Sequence, residues 1–214
     1  MCMKTMDCPF PKLYAIIDAA QSRARSLELL SQILLDAGVK LIQYRDKQSS
    51  SREVYEVSRE LARRAASQGG LLIVNDRADI ALAAGASGVH VGQDDLPPDL
   101  ARKILGSSKM VGFSTHNMDQ LKDADRQPVD YIALGPIFTT QSKDRPDPVV
   151  GLDLLLQARK LTRKPLVAIG GITLETTPAV IEAGADSVAV IHDLMSADDP
   201  GRRAREYLKV LGGV

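Results

Sequence analysis

A single (β/α)8 barrel is the fold this sequence predicts, and three observations carry the prediction. Short apolar runs that end in polar residues or glycine hand over to helical stretches, and this alternation recurs eight times along the chain. The runs are apolar almost throughout, as parallel strands covered on both faces must be, and do not alternate like a half-exposed sheet. Polar and charged residues then gather where the runs end, on the face where barrel enzymes build their sites.

In chain order, the strand-like runs are Leu13 to Asp18, Leu41 to Asp46, Leu71 to Asp76, Gly88 to Gln93, Met110 to His116, Tyr131 to Phe138, Leu166 to Ile172 and Ser187 to Asp193. Between the first and second, Ala37-Gly38-Val39 reads as a helix end, a glycine turn and a strand start. Ser50 with Glu53 has capping-box spacing ahead of a long helix through Ala66, which Gly69 and Gly70 stop. Ala84-Gly85-Ala86 repeats the turn before the fourth strand, and Asp95 ahead of Leu96-Pro97 is a plausible N-cap for the helix that follows. The connection from Gly135 to Gly151 is long, carries Pro136, Pro146 and Pro148, and reads as an active-site lid. Thr177 as a cap with Pro178 at the first helical position opens the seventh helix. Ala183-Gly184-Ala185 then repeats the turn before the last strand. Residues 1–11 form an N-terminal tail and 12–214 the barrel.

Composition narrows the partners. With 214 residues there is little chain beyond one barrel, and 44% hydrophobic with 25% charged residues is ordinary globular usage. Lys plus Arg and Asp plus Glu stand at 27 each, so no overall cationic field draws the protein to nucleic acid or an anionic membrane. An anion site must therefore be local. Cys2 and Cys8 both lie in the tail and assemble neither a disulfide framework nor a zinc quartet. A cytoplasmic protein is expected, since no apolar run has the length of a membrane span and the N-terminus lacks a signal-peptide pattern. A homo-oligomer is compatible with the sequence, which fixes no stoichiometry.

The candidate site residues sit at the strand ends. In an extended Gln43-Tyr44-Arg45-Asp46-Lys47, side chains alternate, so Gln43, Arg45 and Lys47 share one side while Tyr44 and Asp46 take the other. An Arg fork, a Lys point charge and an amide converging on one volume suit a phosphate or diphosphate. A solvated strand end is the competing reading. Asn75-Asp76-Arg77 and Gln93-Asp94-Asp95 close neighbouring strands, and Asp76 with one of the later aspartates reaches a shared cation. Mg²⁺ commonly takes one or two carboxylates together with substrate phosphates. Gly170-Gly171, with the break at Ile191-His192, lies where many barrels hold a monophosphate through backbone donors. The run from Gly135 to Lys143 adds hydroxyls and an ammonium beside it. Two phosphorylated ligands suggest group transfer. His116 reads as a helix-start or packing residue and His90 as a satisfied core residue.

The ordered motifs Gln-x-Arg-x-Lys, Asn-Asp-Arg, His-Val-Gly-Gln-x-Asp, Gly-x-Ser-Thr-His, Gly-Pro-Ile-Phe-x-Thr-x-Ser-Lys and Ile-Gly-Gly-Ile, spread from Gln43 to Ile191, resemble the thiamine phosphate synthase family. The resemblance implies a transferase that joins hydroxymethylpyrimidine diphosphate to thiazole phosphate, releasing pyrophosphate, with Mg²⁺ as cofactor. It implies that Gln43, Tyr44, Arg45, Asp46, Lys47, Asn75, Ser114 and Lys143 hold the pyrimidine diphosphate. Arg45, Lys47, Ser114 and Lys143 among them would assist catalysis. Asp76 and Asp95 would hold the metal, and Thr140, Gln141, Ser142, Gly171, Ile191 and His192 the thiazole phosphate. Diphosphate is expected to leave first, and the thiazole nitrogen then traps the pyrimidine methyl cation, so no protein nucleophile is needed. Three competing readings are a thiazole tautomerase of the same fold, a sugar-phosphate isomerase or lyase, and a non-catalytic sensor of thiamine precursors. Gln43, Asp76 and Asp95 favour the synthase over the first. The second leaves the metal and diphosphate cluster unexplained, and the third finds no appended segment to deliver a signal. His192 departs from the small hydroxyl residue more usual in the family, leaving open whether its ring or only its backbone meets phosphate.

Overall fold

The computed structural model describes residues 9–22, 25–140 and 147–212. Eight parallel strands close into a barrel in sequence order. They are β1 (Leu13–Asp18), β2 (Leu41–Arg45), β3 (Leu71–Asn75), β4 (Gly88–Val91), β5 (Met110–Thr115), β6 (Tyr131–Leu134), β7 (Leu166–Ala168) and β8 (Ser187–Val190). The eight predicted runs each contain one strand, so the barrel is confirmed. Seven of the strands stop earlier than their apolar runs, because the chain there turns into the loops of the site. Asp76 already has a left-handed backbone (φ 60°), and the residues after Leu134 enter the loop toward α6. Ile137 N–H still donates to Ile169 O at 2.8 Å, so the sixth and seventh units stay joined beyond regular sheet.

The surrounding helices are α1 (Leu27–Asp36), α2 (Ser51–Ser67), α3 (Ala78–Ala83), α4 (Pro98–Leu105), α5 (Met118–Arg126), α6 (Gly151–Leu161), α7 (Thr177–Glu182), α8 (His192–Met195) and α9 (Pro200–Val210). Helix α2 shows the logic. The Ser50 and Glu53 capping box forms as expected, and Val54, Leu61 and Ala65 make its buried stripe against the barrel. Burying a side chain such as Leu61 stabilises by about 1.5–3 kcal/mol. Two cap expectations need correction. Helix α4 begins three residues after Asp95, with Pro97 at the N-cap, and the Asp95 carboxylate instead accepts from Gly92 N–H at 2.8 Å. Helix α7 is capped at Thr176, which moves Thr177 to the first helical position, where its hydroxyl donates to Thr173 O at 2.8 Å.

The core has two layers. Outward-facing strand residues such as Ile42, Tyr44, Leu72 and Val89 pack under the helices, and a smaller cluster of Phe10, Tyr14, Leu41, Ile73, Tyr131 and Val167 fills the barrel itself. Phe10, assigned to the tail from sequence, is buried against the Tyr131 ring with centroids 5.2 Å apart. Gly112 makes room for that ring, since a Cβ built there would lie 2.0 Å from Tyr131 Cζ. No helix among the described residues is long and apolar enough to cross a membrane.

Candidate active site

Strand alternation decides which side chains reach the barrel mouth. On β2 the odd positions turn inward, so Gln43 and Arg45 line a cavity of about 460 Å³ that Asn75 (β3), His90 (β4) and Ser114 (β5) also line. Across from them stand Thr139 and Thr140 after β6, Gly170 and Gly171 after β7, and Ile191 and His192 after β8. The two groups of residues that the sequence assigns to different phosphorylated ligands thus share one pocket. Tyr44 and Asp46 do not line it. Tyr44 is buried in the outer layer, its hydroxyl donates to Asp46 Oδ2 at 3.0 Å, and burial together with that carboxylate raises the phenol pKa. Asp46 Oδ1 accepts from Gln48 and Ser49 N–H at 2.9 and 3.0 Å, which outweighs partial burial and holds the carboxyl below its usual range. These two shape the loop carrying Lys47 and present nothing to the cavity.

Each cation of the cluster is held by a carboxylate. Arg45 Nη1 donates to Asp18 at the buried end of β1, a partner not singled out from sequence although it too sits at a strand end. Lys47 Nζ lies 2.5 Å from Asp76 Oδ2. The Asp95 carboxylate lies within interaction reach of Asp76. Burial first, and then the Asp95 carboxylate, push the Asp76 carboxyl up to about 6 against the pull of Lys47. The left-handed backbone of Asp76, unusual outside glycine, helps turn its side chain toward this meeting point. No cluster of three or more His, Cys, Asp or Glu side chains suited to a metal occurs among the described residues. Lys47, Asp76 and Asp95 border the mouth and are not part of the cavity wall.

On the opposite wall, Gly170 and Gly171 both have left-handed backbones (φ 88° and 67°). A Cβ on Gly171 would fall 2.4 Å from Thr139 O, so this turn reaches the β6 loop only because both residues are glycine. The turn at Ile191 and His192 is anchored by Asp193, which accepts from Tyr207 OH of α9 at 2.6 Å and pairs with Arg203 at 3.5 Å. His116 is neither the helix cap, which is Asn117, nor a packing residue alone. Its Nδ1 donates to Gly135 O at 2.5 Å, and its Nε2 lies 3.5 Å from the Asp147 carboxylate across the pocket wall. Gln141, Ser142 and Lys143 lie outside the described residues. His90 is satisfied, as the sequence suggests, by Tyr131 and Ser114, yet it also faces the cavity.

Barrel, pocket and charged rim together have the layout of a (β/α)8-barrel enzyme with its small-molecule site at the carboxyl ends of the strands. The sequence profile of thiamine monophosphate synthase matches residues 13–194, and the chain belongs to that family. It is 55% identical to the thiamine-phosphate synthase of Koribacter versatilis over 205 residues, covering 94% of this chain and 96% of that protein. Identity to the thiamine-phosphate synthase of Chloroflexus aurantiacus is 43% over 198 residues, with 91% and 90% covered. Among solved structures, the thiamine phosphate pyrophosphorylase of Pyrococcus furiosus superposes with a TM-score of 0.85 at 31% identity, covering 94% of this chain and 95% of that one.

Proposed function

We propose that this protein is a Mg²⁺-dependent, cytoplasmic thiamine-phosphate synthase that joins hydroxymethylpyrimidine diphosphate to thiazole phosphate and releases pyrophosphate. One observation carries the reading: a single cavity has Gln43, Arg45, Asn75 and Ser114 on one wall and Thr140, Gly171, Ile191 and His192 on the other. Two substrates bound against these walls meet inside the barrel, and holding them there supplies the orientation a bimolecular reaction otherwise lacks.

The donor set at the rim suits a divalent cation. Two carboxylates within interaction reach of each other, with oxygen as the only ligand type, are a hard-cation arrangement, and Asp76 and Asp95 would hold Mg²⁺. When bound, the ion neutralises negative charge on the diphosphate. The remaining work falls to side chains of the protein. Arg45, held by Asp18, and Lys47, held by Asp76, place two positive charges where the leaving diphosphate gains charge as its bond to the pyrimidine methylene breaks. Lys143 would add a third. The thiazole nitrogen uses its own lone pair to form the new C–N bond, so no side chain acts as a nucleophile. His116 and Asp147 fasten the start of the β6–α6 connection to its end, and water is excluded once both walls are filled. Incubation with both phosphorylated precursors and Mg²⁺, scored for thiamine phosphate by chromatography, tests the proposal. Folded protein that yields none refutes it.

A further inference from the structure

Beneath the pocket a continuous chain of buried side-chain hydrogen bonds crosses the barrel and joins five strands. Gln43 Nε2 on β2 donates to Tyr14 OH on β1 at 2.7 Å, and Tyr14 OH lies 2.9 Å from Tyr131 OH on β6. Tyr131 OH lies 3.0 Å from His90 Nδ1 on β4, and His90 Nε2 lies 2.8 Å from Ser114 Oγ on β5. Gln43, Tyr14, His90 and Ser114 line the cavity, Tyr131 lies below it, and the tyrosines have been given no role above.

The Gln43 amide, donating through Nε2, gives the chain one self-consistent direction. Burial raises both phenol pKa values, so each tyrosine carries one proton to give. If Tyr14, which accepts from Gln43, passes its own proton to Tyr131, then Tyr131 gives its proton to His90 Nδ1. His90 then carries its proton on Nε2 and donates it to Ser114 Oγ. At the two ends of the chain that direction leaves the Gln43 Oε1 carbonyl to accept from a ligand and the Ser114 hydroxyl proton to be given to one. We propose that Tyr14, Tyr131 and His90 are positioning residues that set the hydrogen-bond polarity of Gln43 and Ser114, and that this polarity selects an aminopyrimidine over its oxo counterpart. An exocyclic amine donates to Gln43 Oε1 while a ring nitrogen accepts from Ser114. Replacing the amine with a carbonyl sets two acceptors against each other, and buried polar groups left unpaired reject the analogue. Gly112 fits the same design, since its missing side chain is what lets the Tyr131 ring reach the centre of the chain.

The inference rests on the synthase reading and is tested separately from it. Wild type, Tyr14→Phe, Tyr131→Phe and the double variant are compared with the aminopyrimidine diphosphate and its 4-oxo analogue, each with thiazole phosphate and Mg²⁺. Either single change is expected to lower the amino-to-oxo ratio of kcat/KM about tenfold, the size of one buried hydrogen-bond mismatch. The double variant is expected to lose no more than either single, because one cut releases the whole chain. Imidazole ¹⁵N NMR supplies a readout that packing alone does not move: His90 is expected as the Nε2–H tautomer in wild type and as a tautomer mixture in Tyr131→Phe. An unchanged ratio in both single variants, or a wild-type proton on Nδ1, overturns the inference. Wild type that fails to turn over the aminopyrimidine overturns the synthase reading, and the NMR result still decides the polarity of the chain.

Discussion

Placing a single methyl group on the inner wall of the barrel should unseat its centre. In Gly112→Ala, the new Cβ would meet Tyr131 Cζ, OH and Cε2 at 2.0, 2.3 and 2.5 Å, well inside van der Waals contact. The backbone of Gly112 is not in the left-handed region, so the cost is steric and not conformational. Tyr131 is fully buried, and its hydroxyl joins Tyr14 to His90 at 2.9 and 3.0 Å, so the ring cannot retreat without breaking both bonds. Overpacking of this kind costs about 1–3 kcal/mol, and two buried hydrogen bonds add roughly 1 kcal/mol each. The sum, about 3–5 kcal/mol, is a large fraction of the ~5–15 kcal/mol that holds a domain together. At roughly 2–4 °C per kcal/mol for a chain of this size, thermal unfolding followed by circular dichroism should show Tm lowered by about 6–20 °C. Gly112→Ala combined with Tyr131→Leu should recover part of the loss by vacating the space. A single Gly112→Ala variant melting within about 2 °C of wild type would refute the steric argument.

Further outcomes concern the mouth of the barrel. Asp76→Asn and Asp95→Asn are each expected to raise the Mg²⁺ concentration for half-maximal turnover by tenfold or more, with little change in thiazole phosphate binding measured by calorimetry; full activity of both at low Mg²⁺ would rule out the metal assignment. Lys47→Ala and Lys143→Ala should each slow single-turnover release of pyrophosphate about 10²-fold, and an effect confined to thiazole phosphate affinity would move those lysines to the other wall. Asp18→Ala, which leaves Arg45 untethered, should raise KM for the diphosphate about tenfold while changing kcat less; an unchanged KM would show that Arg45 needs no anchor. His192→Ser is expected to alter thiazole phosphate affinity less than twofold between pH 5.5 and 8, as it would if only the backbone met the phosphate; a tightening on acidification that vanishes in the variant would put the ring on the phosphate.

The barrel was legible because strands buried on both faces are written in apolar residues, and eight such runs leave few alternatives. That same property hid the inner polar chain. Where both faces of a strand are covered, parity leaves no trace in hydropathy, so Tyr14, His90 and Tyr131 read as core when their hydroxyls and ring nitrogens meet inside the barrel. Alternation along β2 correctly separated Gln43 and Arg45 from Tyr44 and Asp46, whereas carrying the whole five-residue motif onto a ligand did not respect it. Asp95 looked like a helix cap because it precedes Leu96-Pro97, and only the position of α4, which starts at Pro98 with Pro97 as its N-cap, excludes that role. Asp18 was passed over for the opposite reason: its partner Arg45 lies 27 positions away in sequence, and strand pairing alone brings the two together.

The tilted rings of Phe10 and Tyr131, packed 5.2 Å apart, give the barrel a closed floor and make it a cup. A ligand held against Gln43 and Ser114, as the proposed function has it, would find no exit past these rings and would leave by the mouth through which it came.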